Sequence, residues 1–386
     1  MAELKCEVLK VSIKEHPNAD ALEIAQVRGY DSIVRKGQFQ TGDLAVYIPE
    51  QSIVPEWLLR NLNLWDDDKG KGKLAGSNGD RVKAIKLRGV TSQGLLYPLN
   101  THGWDSFPVL IDESGNTHNI TDGDDVTELL GVTKWEPEIP IHMAGEVTSL
   151  AGKTLKYDIE NIKNYPEIAD ALMNLNIDVH ITEKLHGTWM CIGIYPEHIS
   201  DEITEGRIFV TSKGLSAKGL VFKDNEANEN NVYMRAFKRI CSSDGMLESL
   251  LKLPNGDAPI FLVGELFGKG VQDLHYGNEV PSFRIFDVYE GLPSMGKYLT
   301  PAIVLQLLNA YRIYIPTAPI LYEGKLTQEV IEEHTNGKDS ISDSHVREGI
   351  VIRTLRSEYR NDKIGRVILK SVSDAYLQRK NGTEFN

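Results

Sequence analysis

One lysine, Lys184, has the setting of a covalent nucleophile. It ends a strand-like run and is followed by Gly187, which permits a tight turn. Alternation along a strand places the Lys184 amine on the face opposite Ile181 and Leu185, away from the core. An amine presented in this way can attack a nucleotide phosphate. Because the spacing Lys-x-x-Gly is also typical of a surface lysine beside a turn, other residues must support the interpretation.

Three further ionisable residues accompany apolar, strand-like runs. Glu265 interrupts one such run, Glu348 opens the next and Lys370 ends a third. A charge in a buried strand is costly without a partner, so each residue could belong to a structural ion pair. With the strand of Lys184, four strands each carry one ionisable group. This pattern instead favours a pocket in which the four side chains converge.

Attack by an amine on the α-phosphate of a nucleoside triphosphate makes demands that these residue types meet. Free lysine titrates near ~10.4, so cations beside Lys184, either a bound metal or Lys370, must lower its pKa. Glu348 is a predicted ligand of Mg²⁺ or Mn²⁺, with Glu265 as a second carboxylate. Glu265 is also suited to hold a sugar hydroxyl, and Lys213 and Lys370 to neutralise phosphate charge.

The run Ser282–Tyr289 offers a surface for a nucleotide base. Phe286 lies on the face opposite Asp287, which gives a stacking platform beside a carboxylate. Packing of Phe286 in the core is the alternative.

Composition and charge limit the class of protein. At 386 residues the chain can form two domains. Its formal net charge of −13 argues against a simple nucleic-acid coat. The three cysteines show neither zinc-ligand spacing nor a disulfide framework, which suits a reducing compartment. Since the sequence shows no signal layout and no apolar run near the ~20 residues that span a bilayer, we expect a cytoplasmic protein without a membrane role.

The positions of Gly, Asp and Pro residues predict where strands end and how the chain divides into domains. Residues 1–135 read as short strands of a small barrel, within which residues 65–80 predict a mobile loop. Residues 136–150, with prolines 137 and 140, are interpreted as a linker. In residues 151–386, strands alternate with helical patterns near 160–175, 226–253, 300–312 and 327–336. The expected fold class is α+β.

The run His16–Asp20 resembles a motif of tRNA-binding-type OB domains, five-stranded barrels that take up single strands. A hairpin turn, in which Pro17 fixes φ and Asn18 or Asp20 caps the backbone, is an equal alternative.

The order and spacing of six motifs resemble the ATP-dependent RNA ligases of the covalent nucleotidyltransferase superfamily. They cover most of residues 150–375 and are Lys184–Gly187, Thr211–Gly214, Gly264–Gln272, Phe286-Asp287, Glu348–Val351 and Leu369–Ser371. The greatest likeness is to nick-sealing ligases with an OB domain ahead of the catalytic domain. The resemblance implies an ATP-grasp-like nucleotidyltransferase domain of antiparallel sheets with flanking helices in residues 151–386, preceded by a nucleic-acid-docking OB-type barrel in residues 1–135.

The same resemblance implies an activity in three steps. AMP passes from ATP to the lysine, then to an RNA 5′-phosphate, and a 3′-hydroxyl finally displaces it to form a phosphodiester. The implied cofactors are ATP and Mg²⁺ or Mn²⁺, and the implied substrate is RNA with 3′-hydroxyl and 5′-phosphate ends, in a nicked duplex. No obligate protein partner is expected.

Roles for the motif residues also come from the resemblance. Lys184 is the nucleophile, Lys370 contacts the α-phosphate and Glu348 binds the metal. Glu183 and Phe286 recognise adenine, Glu265 binds ribose, and His186 aids the later steps. The remaining predicted nucleotide contacts are Gly187, Lys213, Asp287 and Arg366.

Three departures from the family pattern affect phosphate contacts. Lys213 stands where an arginine is common in the family. A lysine cannot make the bidentate phosphate contact of a guanidinium group. Lys370 has apolar neighbours where a second lysine is usual, so one contact is missing or comes from Arg366. Trp189 or its neighbours fill the place of an arginine that often follows the first motif.

Two alternatives share the lysine chemistry or the fold. GTP-dependent capping enzymes, like DNA ligases, place an OB domain after the fifth motif, whereas only residues 371–386 follow Lys370 here. An inactive RNA-binding relative would have no chemical need to retain Lys184, Glu265, Glu348 and Lys370 together.

Overall fold

The computed structural model describes residues 4–102, 107–197, 207–254, 256–379 and 382–383. Within these ranges the chain forms two compact units. The N-terminal unit holds the residues up to Glu136 together with Lys163–Pro166, and the C-terminal unit holds Pro137–Ile162 and the residues from Glu167 onward.

The N-terminal unit is built mainly from short strands. Its elements in chain order are β1 (Glu7–Lys10), β2 (Ser12–Glu15), β3 (Leu22–Val27), β4 (Tyr30–Arg35), β5 (Leu44–Ile48), β6 (Ser52–Ile53), α1 (Glu56–Asn61), β7 (Trp65–Asp66), β8 (Lys71–Gly72), β9 (Ile85–Leu87), β10 (Val90–Ser92), β11 (Leu95–Pro98), β12 (Asn100–His102), β13 (Phe107–Ile111), β14 (Thr117–Asn119), α2 (Thr127–Leu130) and β15 (Thr133–Lys134).

Two three-stranded antiparallel sheets, ordered β1-β5-β11 and β2-β3-β4, organise this unit. The central strand β5 is buried at four successive residues, Ala45–Ile48, which explains its continuous apolar sequence. On β3, alternation buries Ala25 and Val27 while Gln26 between them is partly exposed. The strand-rich character expected of residues 1–135 is therefore present.

Residues 65–80 are more ordered than the sequence indicates. Instead of a plain loop they contain the short β7–β8 pair, in which Trp65 is opposite Gly72. Trp65 and Leu74 pack against the core of the unit, and Leu74 N donates a hydrogen bond to Gly79 O at 2.8 Å. The apolar side chains of Trp65 and Leu74 thus attach this otherwise polar segment to the core of the unit.

The run His16–Asp20 connects β2 to β3 as a turn. Asn18 N donates to His16 Nδ1 at 3.1 Å, and the Asn18 side-chain amide donates to Arg88 O at 2.9 Å. The run therefore forms a turn, in which the His16 side chain, in place of the expected Asn18 or Asp20, accepts the hydrogen bond from a nearby backbone N–H.

A short segment from far along the chain, Lys163–Pro166, belongs to the N-terminal unit. Gly29 N donates to Lys163 O at 3.0 Å, and the Tyr30 hydroxyl donates to Asn164 Oδ1 at 2.7 Å. A Cβ on Gly29 would lie 2.7 Å from Lys163 Cα, so this approach requires glycine. From the sequence, all of residues 151–386 are assigned to the second domain, so this segment is not expected in the N-terminal unit.

The C-terminal unit contains the remaining elements. In chain order they are β16 (Val147–Ser149), β17 (Glu160–Asn161), α3 (Pro166–Asn174), β18 (Asp178–Lys184), β19 (Thr188–Ile194), β20 (Ile208–Ser212), α4 (Lys213–Ala217), β21 (Leu220–Phe222), α5 (Val232–Cys241), α6 (Met246–Leu251), β22 (Ile260–Phe267), β23 (Ser282–Glu290), β24 (Lys297–Tyr298), α7 (Pro301–Ala310), β25 (Ile320–Lys325), α8 (Gln328–Thr335), β26 (Gly349–Thr354), β27 (Arg360–Asn361), β28 (Gly365–Arg366), β29 (Ile368–Val372) and α9 (Asp374–Leu377).

Two five-stranded sheets form the frame of this unit, ordered β17-β29-β26-β18-β25 and β20-β19-β22-β23-β24. Only the short pairing of β17 with β29 among the pairings within these two sheets is parallel. Strand β19 is buried at every residue and β22 at all but Glu265, which fits their apolar sequences. The unit is α+β with mainly antiparallel sheets, as expected.

The helical patterns in the sequence correspond to helices in this unit. They are confirmed as α3, the pair α5 and α6, α7 and α8. Apolar residues of α5 and α7, such as Phe237 and Val304, join one core with β19 and β22. Strand β16 pairs with β21, so residues 147–149 lie within the unit instead of in a linker. Among the described helices, none combines the length and the apolar character needed to cross a membrane.

Candidate functional site

Lys184 lies at the end of β18 and is paired with Glu348. In the antiparallel pairing of β18 with β26, Lys184 is opposite Gly349, which brings the preceding residue, Glu348, to the lysine. Lys184 Nζ is 2.5 Å from Glu348 Oε1. The Lys184 side chain is 22% exposed and that of Glu348 is 9% exposed, so the pair is largely removed from water.

Glu265 lies on β22, where the turn after Lys184 packs closely against the strand. A Cβ on Gly187 would lie 2.2 Å from Leu266 O and 3.0 Å from Glu265 Cγ, so only glycine allows this approach. Burial raises the pKa of Glu265 to about 8, and the charge of Glu348 acts in the same direction, against the opposing amines of Lys184 and Lys213. The sequence expectation that Glu265 needs a polar environment is met by these neighbours.

Two more amines belong to the same electrostatic group. Lys213 begins α4 directly after β20, and its Nζ lies 2.8 Å from Asp158 Oδ1. Lys370 lies on β29 opposite Val351. Burial, together with the cations Lys184 and Lys213, lowers the pKa of Lys370 to about 8 against the opposing charge of Glu348.

The structure therefore brings together five predicted residues from both sheets, here called the lysine–glutamate cluster: Lys184, Lys213, Glu265, Glu348 and Lys370. Asp158 was missed from the sequence, because nothing in its local run distinguishes it from a surface carboxylate. Lys184, Lys213 and Glu348 act electrostatically on both Glu265 and Lys370, so a polyanion would find several cations at one place.

Glu183 lies apart from this cluster, on the other face of β18. Its Oε2 accepts hydrogen bonds from Ser340 N at 2.8 Å and from the Ser340 hydroxyl at 2.5 Å. Its Oε1 is buried without a hydrogen-bond partner among the described residues. Burial raises the pKa of this carboxyl, opposed by the bonds from Ser340. Recognition of adenine by Glu183 stays a prediction.

Phe286 occupies an irregular position of β23. The register of β22 with β23 shifts between Val263 and Gly264, so Phe286 has no partner residue in the pairing. Its ring is partly buried and lies 5.4 Å from that of Tyr157, at an interplanar angle of 45°. One aromatic face therefore already contacts the protein, and base stacking on Phe286 stays a prediction.

Asp287 and Arg366 bind each other instead of joining the lysine–glutamate cluster. The Asp287 side chain is fully buried and accepts a hydrogen bond from Arg366 Nη1 at 2.6 Å. The Tyr157 hydroxyl donates to the same oxygen, Asp287 Oδ2, at 3.1 Å, and Arg353 Nη1 lies 3.4 Å from Asp287 Oδ1. The Arg366 guanidinium also lies over the Tyr298 ring, 4.1 Å from its centroid.

These contacts indicate that Asp287 and Arg366 have a structural role as a buried ion pair. Two buried guanidinium groups require a carboxylate to balance their charge, and Asp287 supplies it. Arg366 therefore has its guanidinium engaged by Asp287, and a phosphate contact from Arg366 would have to compete with that ion pair.

His186 follows Lys184 by two residues and is almost fully buried, with 3% of its surface exposed. Its Nε2 lies 2.8 Å from Asp273 Oδ1, and its Nδ1 lies 2.7 Å from the Tyr376 hydroxyl. Neither Asp273 nor Tyr376 carried a signal in the sequence, because their importance depends on contacts across 87 and 190 residues of chain.

The residues present fit a divalent cation bound mainly through substrate. Within the described ranges, no group of three or more His, Cys, Asp or Glu side chains forms a metal cage. Magnesium commonly keeps several waters and binds through one or two carboxylates plus phosphates. Glu265 and Glu348 supply two such carboxylates, and a cation bound there would stabilise the ionised form of Glu265, whose pKa burial raises.

Comparison with known proteins agrees with the motifs. A family model described as RNA ligase matches residues 177–372, just over half of the 386-residue chain. A second model, described as an OB-fold domain, matches residues 7–99. No curated protein sequence matches the chain.

Solved structures of an RNA ligase from Naegleria gruberi are similar over almost the whole chain. A mutant with AMP and Mn is 27% identical with a TM-score of 0.72, covering 96% of this chain and 97% of that chain. A mutant with ATP and Mn is 26% identical with a TM-score of 0.72, covering 97% and 98%. The enzyme with PPi gives the same identity, TM-score and coverage.

These findings confirm the predicted α+β fold with an N-terminal OB-fold domain, and they confirm the predicted enzyme class. All five residues of the lysine–glutamate cluster lie within the matched residues 177–372. The chain belongs to the RNA ligase family.

Proposed function

We propose that this protein is an ATP-dependent RNA ligase that joins 3′-hydroxyl and 5′-phosphate ends through a lysyl-AMP intermediate. The observation that carries the proposal is the lysine–glutamate cluster, in which Lys184 lies among two further amines and two carboxylates. Such a set offers a nucleophile, cations for phosphate oxygens and acceptors for a sugar and a metal.

In the first step, Lys184 Nζ forms a bond to the α-phosphorus of ATP while the bond to the pyrophosphate oxygen breaks. The amine must be neutral to attack, so its proton has to leave the Lys184–Glu348 pair. Lys213 and Lys370 neutralise charge on the phosphates. A divalent cation held by Glu265 and Glu348 would shield the triphosphate when bound.

The second and third steps use the stored AMP. An oxygen of the RNA 5′-phosphate attacks the AMP phosphorus, the P–N bond breaks and Lys184 regains a proton. The RNA 3′-hydroxyl then attacks the activated 5′-phosphorus, loses its proton and displaces AMP with the electron pair of the broken bond. The cations of the cluster are suited to both transfers, because negative charge again develops on phosphate oxygens.

ATP, not GTP, is the proposed nucleotide. The buried Glu183 Oε1 lacks a partner among the described residues and is a hydrogen-bond acceptor. The exocyclic amine of adenine is a donor, whereas guanine presents a carbonyl oxygen at the same position, which the carboxylate would repel. The Naegleria gruberi enzyme was solved with ATP and with AMP, which supports the same choice.

A nick in an RNA duplex is the proposed substrate, with the N-terminal unit docking the nucleic acid. The match to an OB-fold domain supports this role, since such barrels bind nucleic acids. Lys86 and Arg88 are exposed there and can contact phosphates.

Sealing of end-labelled duplexes tests the proposal. A panel should carry one nick each, with RNA or DNA on either side, and be incubated with ATP or GTP. Joining of the nicked RNA duplex that requires ATP is the expected result. Covalent label obtained only from GTP, without joining, would instead favour a capping-type enzyme.

Deletion of residues 1–135 tests the docking role separately. The truncated protein should still transfer AMP to its lysine but seal nicks poorly. Equal sealing by the truncated and full-length proteins would remove the N-terminal unit from substrate binding.

A further inference from the structure

His186 is held at three points by residues that no motif includes. Its backbone N donates to the Tyr276 hydroxyl at 2.7 Å, its Nε2 lies 2.8 Å from Asp273 Oδ1, and its Nδ1 lies 2.7 Å from the Tyr376 hydroxyl. The ring is 3% exposed. Both ring nitrogens therefore already have partners within the protein.

The partners define the tautomer of His186. Burial raises the pKa of Asp273, but hydrogen bonds from His186, Arg379 and Thr383 outweigh it and hold that pKa well below its usual range. An ionised carboxylate only accepts hydrogen bonds, so His186 Nε2 carries a hydrogen. In a neutral ring, Nδ1 then accepts from the Tyr376 hydroxyl. Both ring nitrogens are thus bound to side chains of the protein.

Three residues near the C-terminal end, Tyr376, Arg379 and Thr383, here called the tail residues, complete this network. Arg379 Nε lies 3.1 Å from Asp273 Oδ2 and its Nη2 lies 3.3 Å from Oδ1, a two-point contact. The Thr383 backbone N and hydroxyl each donate to Asp273 Oδ1 at 2.8 Å. The Arg379 guanidinium covers the Tyr376 ring at 3.7 Å.

The turn Leu185–Gly187, which contains His186, is also held by contacts with Gln272 and with β22. Gln272, the neighbour of Asp273, donates a side-chain hydrogen bond to Gly187 O. Gly187 in turn packs against the backbone of Leu266 on the strand that carries Glu265. The turn Leu185–Gly187 is thus held between β22 and the tail residues, and Lys184 directly precedes it.

We propose that Tyr376, Arg379 and Thr383 are positioning residues for the nucleophile, which act through Asp273 and His186 to hold the turn after Lys184. The proposal rests on the function proposed above, because its readout is AMP transfer to Lys184. It assigns His186 to the placement of Lys184 and not to direct contact with RNA in the later steps. Loosening the network lets Lys184 move relative to Glu265 and the bound nucleotide.

Displacement of a reacting atom by about 1 Å can cost about 100-fold in rate. We therefore expect Tyr376→Phe and Arg379→Ala to slow covalent AMP formation by about 10- to 100-fold at saturating ATP, with little change in the KM for ATP. Arg379→Lys, which keeps a cation near Asp273, should regain part of the rate. Arg360→Ala is the matched control, since it removes an exposed Arg–Glu358 pair in the same unit.

A second assay separates positioning from general damage. Each full-length variant is given RNA whose 5′ end already carries AMP, so that sealing bypasses Lys184. Melting temperature is measured in parallel, and variants are compared well below it. Sealing within about threefold of wild type, beside slowed AMP transfer, is the expected combination.

Two results would overturn the proposal. One is AMP transfer by Tyr376→Phe and Arg379→Ala at the wild-type rate. The other is an equal loss in AMP transfer and in sealing of pre-adenylylated RNA by folded variants. If the wild-type protein itself took no AMP onto Lys184, the proposed function would fail instead, so the two failures are distinguishable.

Discussion

Lys184 Nζ and Glu348 Oε1 lie 2.5 Å apart, at the adjoining ends of two neighbouring strands. The pairing of β18 with β26 produces this contact directly, because Lys184 is the last residue of β18 and Glu348 immediately precedes β26. A carboxylate so close stabilises the protonated amine, which cannot attack a phosphate. In the mechanism proposed above, this ion pair would have to open before Lys184 attacks the α-phosphate.

Replacement of Glu348 tests this pair and its link to the metal. Glu348→Gln keeps an oxygen near Lys184 but removes the charge that a divalent cation needs. We expect the rate of covalent AMP formation to fall by about 100-fold or more, because one preorganised electrostatic contact is typically worth that much. The concentration of Mn²⁺ for half-maximal rate should rise. A variant with wild-type metal dependence would contradict the assignment of Glu348 as a metal ligand.

Glu265 should make stability depend on pH. Its pKa is raised to about 8 by burial and by Glu348, above the usual range of the unfolded chain. The folded state therefore holds this proton longer than the unfolded state, and stability from this group falls as pH rises from about 4.5 to about 8. In ligand-free protein, Glu265→Gln should raise the melting temperature relative to wild type more at pH 8 than at pH 5.

The control for this measurement is Glu279→Gln, which changes an exposed carboxylate paired with Lys269. Addition of Mg²⁺ at pH 8 should narrow the difference between wild type and Glu265→Gln, because a cation stabilises the ionised glutamate. A difference in melting temperature that is the same at both pH values would refute the role of burial at Glu265.

Lys370 should make nucleotide binding depend on pH in the opposite sense. Its pKa is lowered to about 8 by burial and by Lys184 and Lys213, so its charge is lost as pH rises through that value. The KM for ATP should therefore rise between pH 7 and pH 9 in the wild type. Lys370→Met should show a high KM that does not change over this range. A wild-type KM independent of pH would remove Lys370 from phosphate binding.

Asp287 should contribute to stability more than to nucleotide contact. Asp287→Asn leaves the buried guanidinium groups of Arg353 and Arg366 without a compensating charge. Loss of one partner of a buried pair costs about 3–5 kcal/mol in the free energy of unfolding. Urea denaturation measures this loss. Glu167→Gln, which breaks an exposed pair with Lys363, is the control and should change stability by about 0.5 kcal/mol or less.

The sequence identified the parts of the site that lie on strongly patterned strands. Glu265 stands out because it is the one ionisable residue among the eight residues of β22. Lys184 ends β18, Glu348 directly precedes β26 and Lys370 is the middle residue of β29, so each ionisable side chain adjoins buried strand residues. Their convergence could be inferred because each had to find a partner.

Other contacts depend on sheet order, which local patterns do not contain. Asp158 pairs with Lys213, and Asp273 joins His186 to the tail residues, across long stretches of chain. Arg366 looked available for phosphate because its engagement by Asp287 arises only when their strands approach. Likewise, the place of Lys163–Pro166 in the N-terminal unit depends on its backbone bond to Gly29, which the sequence alone does not indicate.

Covalent transfer of AMP to one lysine is the most direct test of the whole account. The full-length protein is incubated with ATP labelled on the α-phosphate and Mn²⁺, then digested and mapped for the modified residue, beside Lys184→Ala. Label in a phosphoramidate at Lys184, and none in the variant, is the predicted result. Label that persists in Lys184→Ala, or that maps to another residue of the wild type, would contradict the central claim.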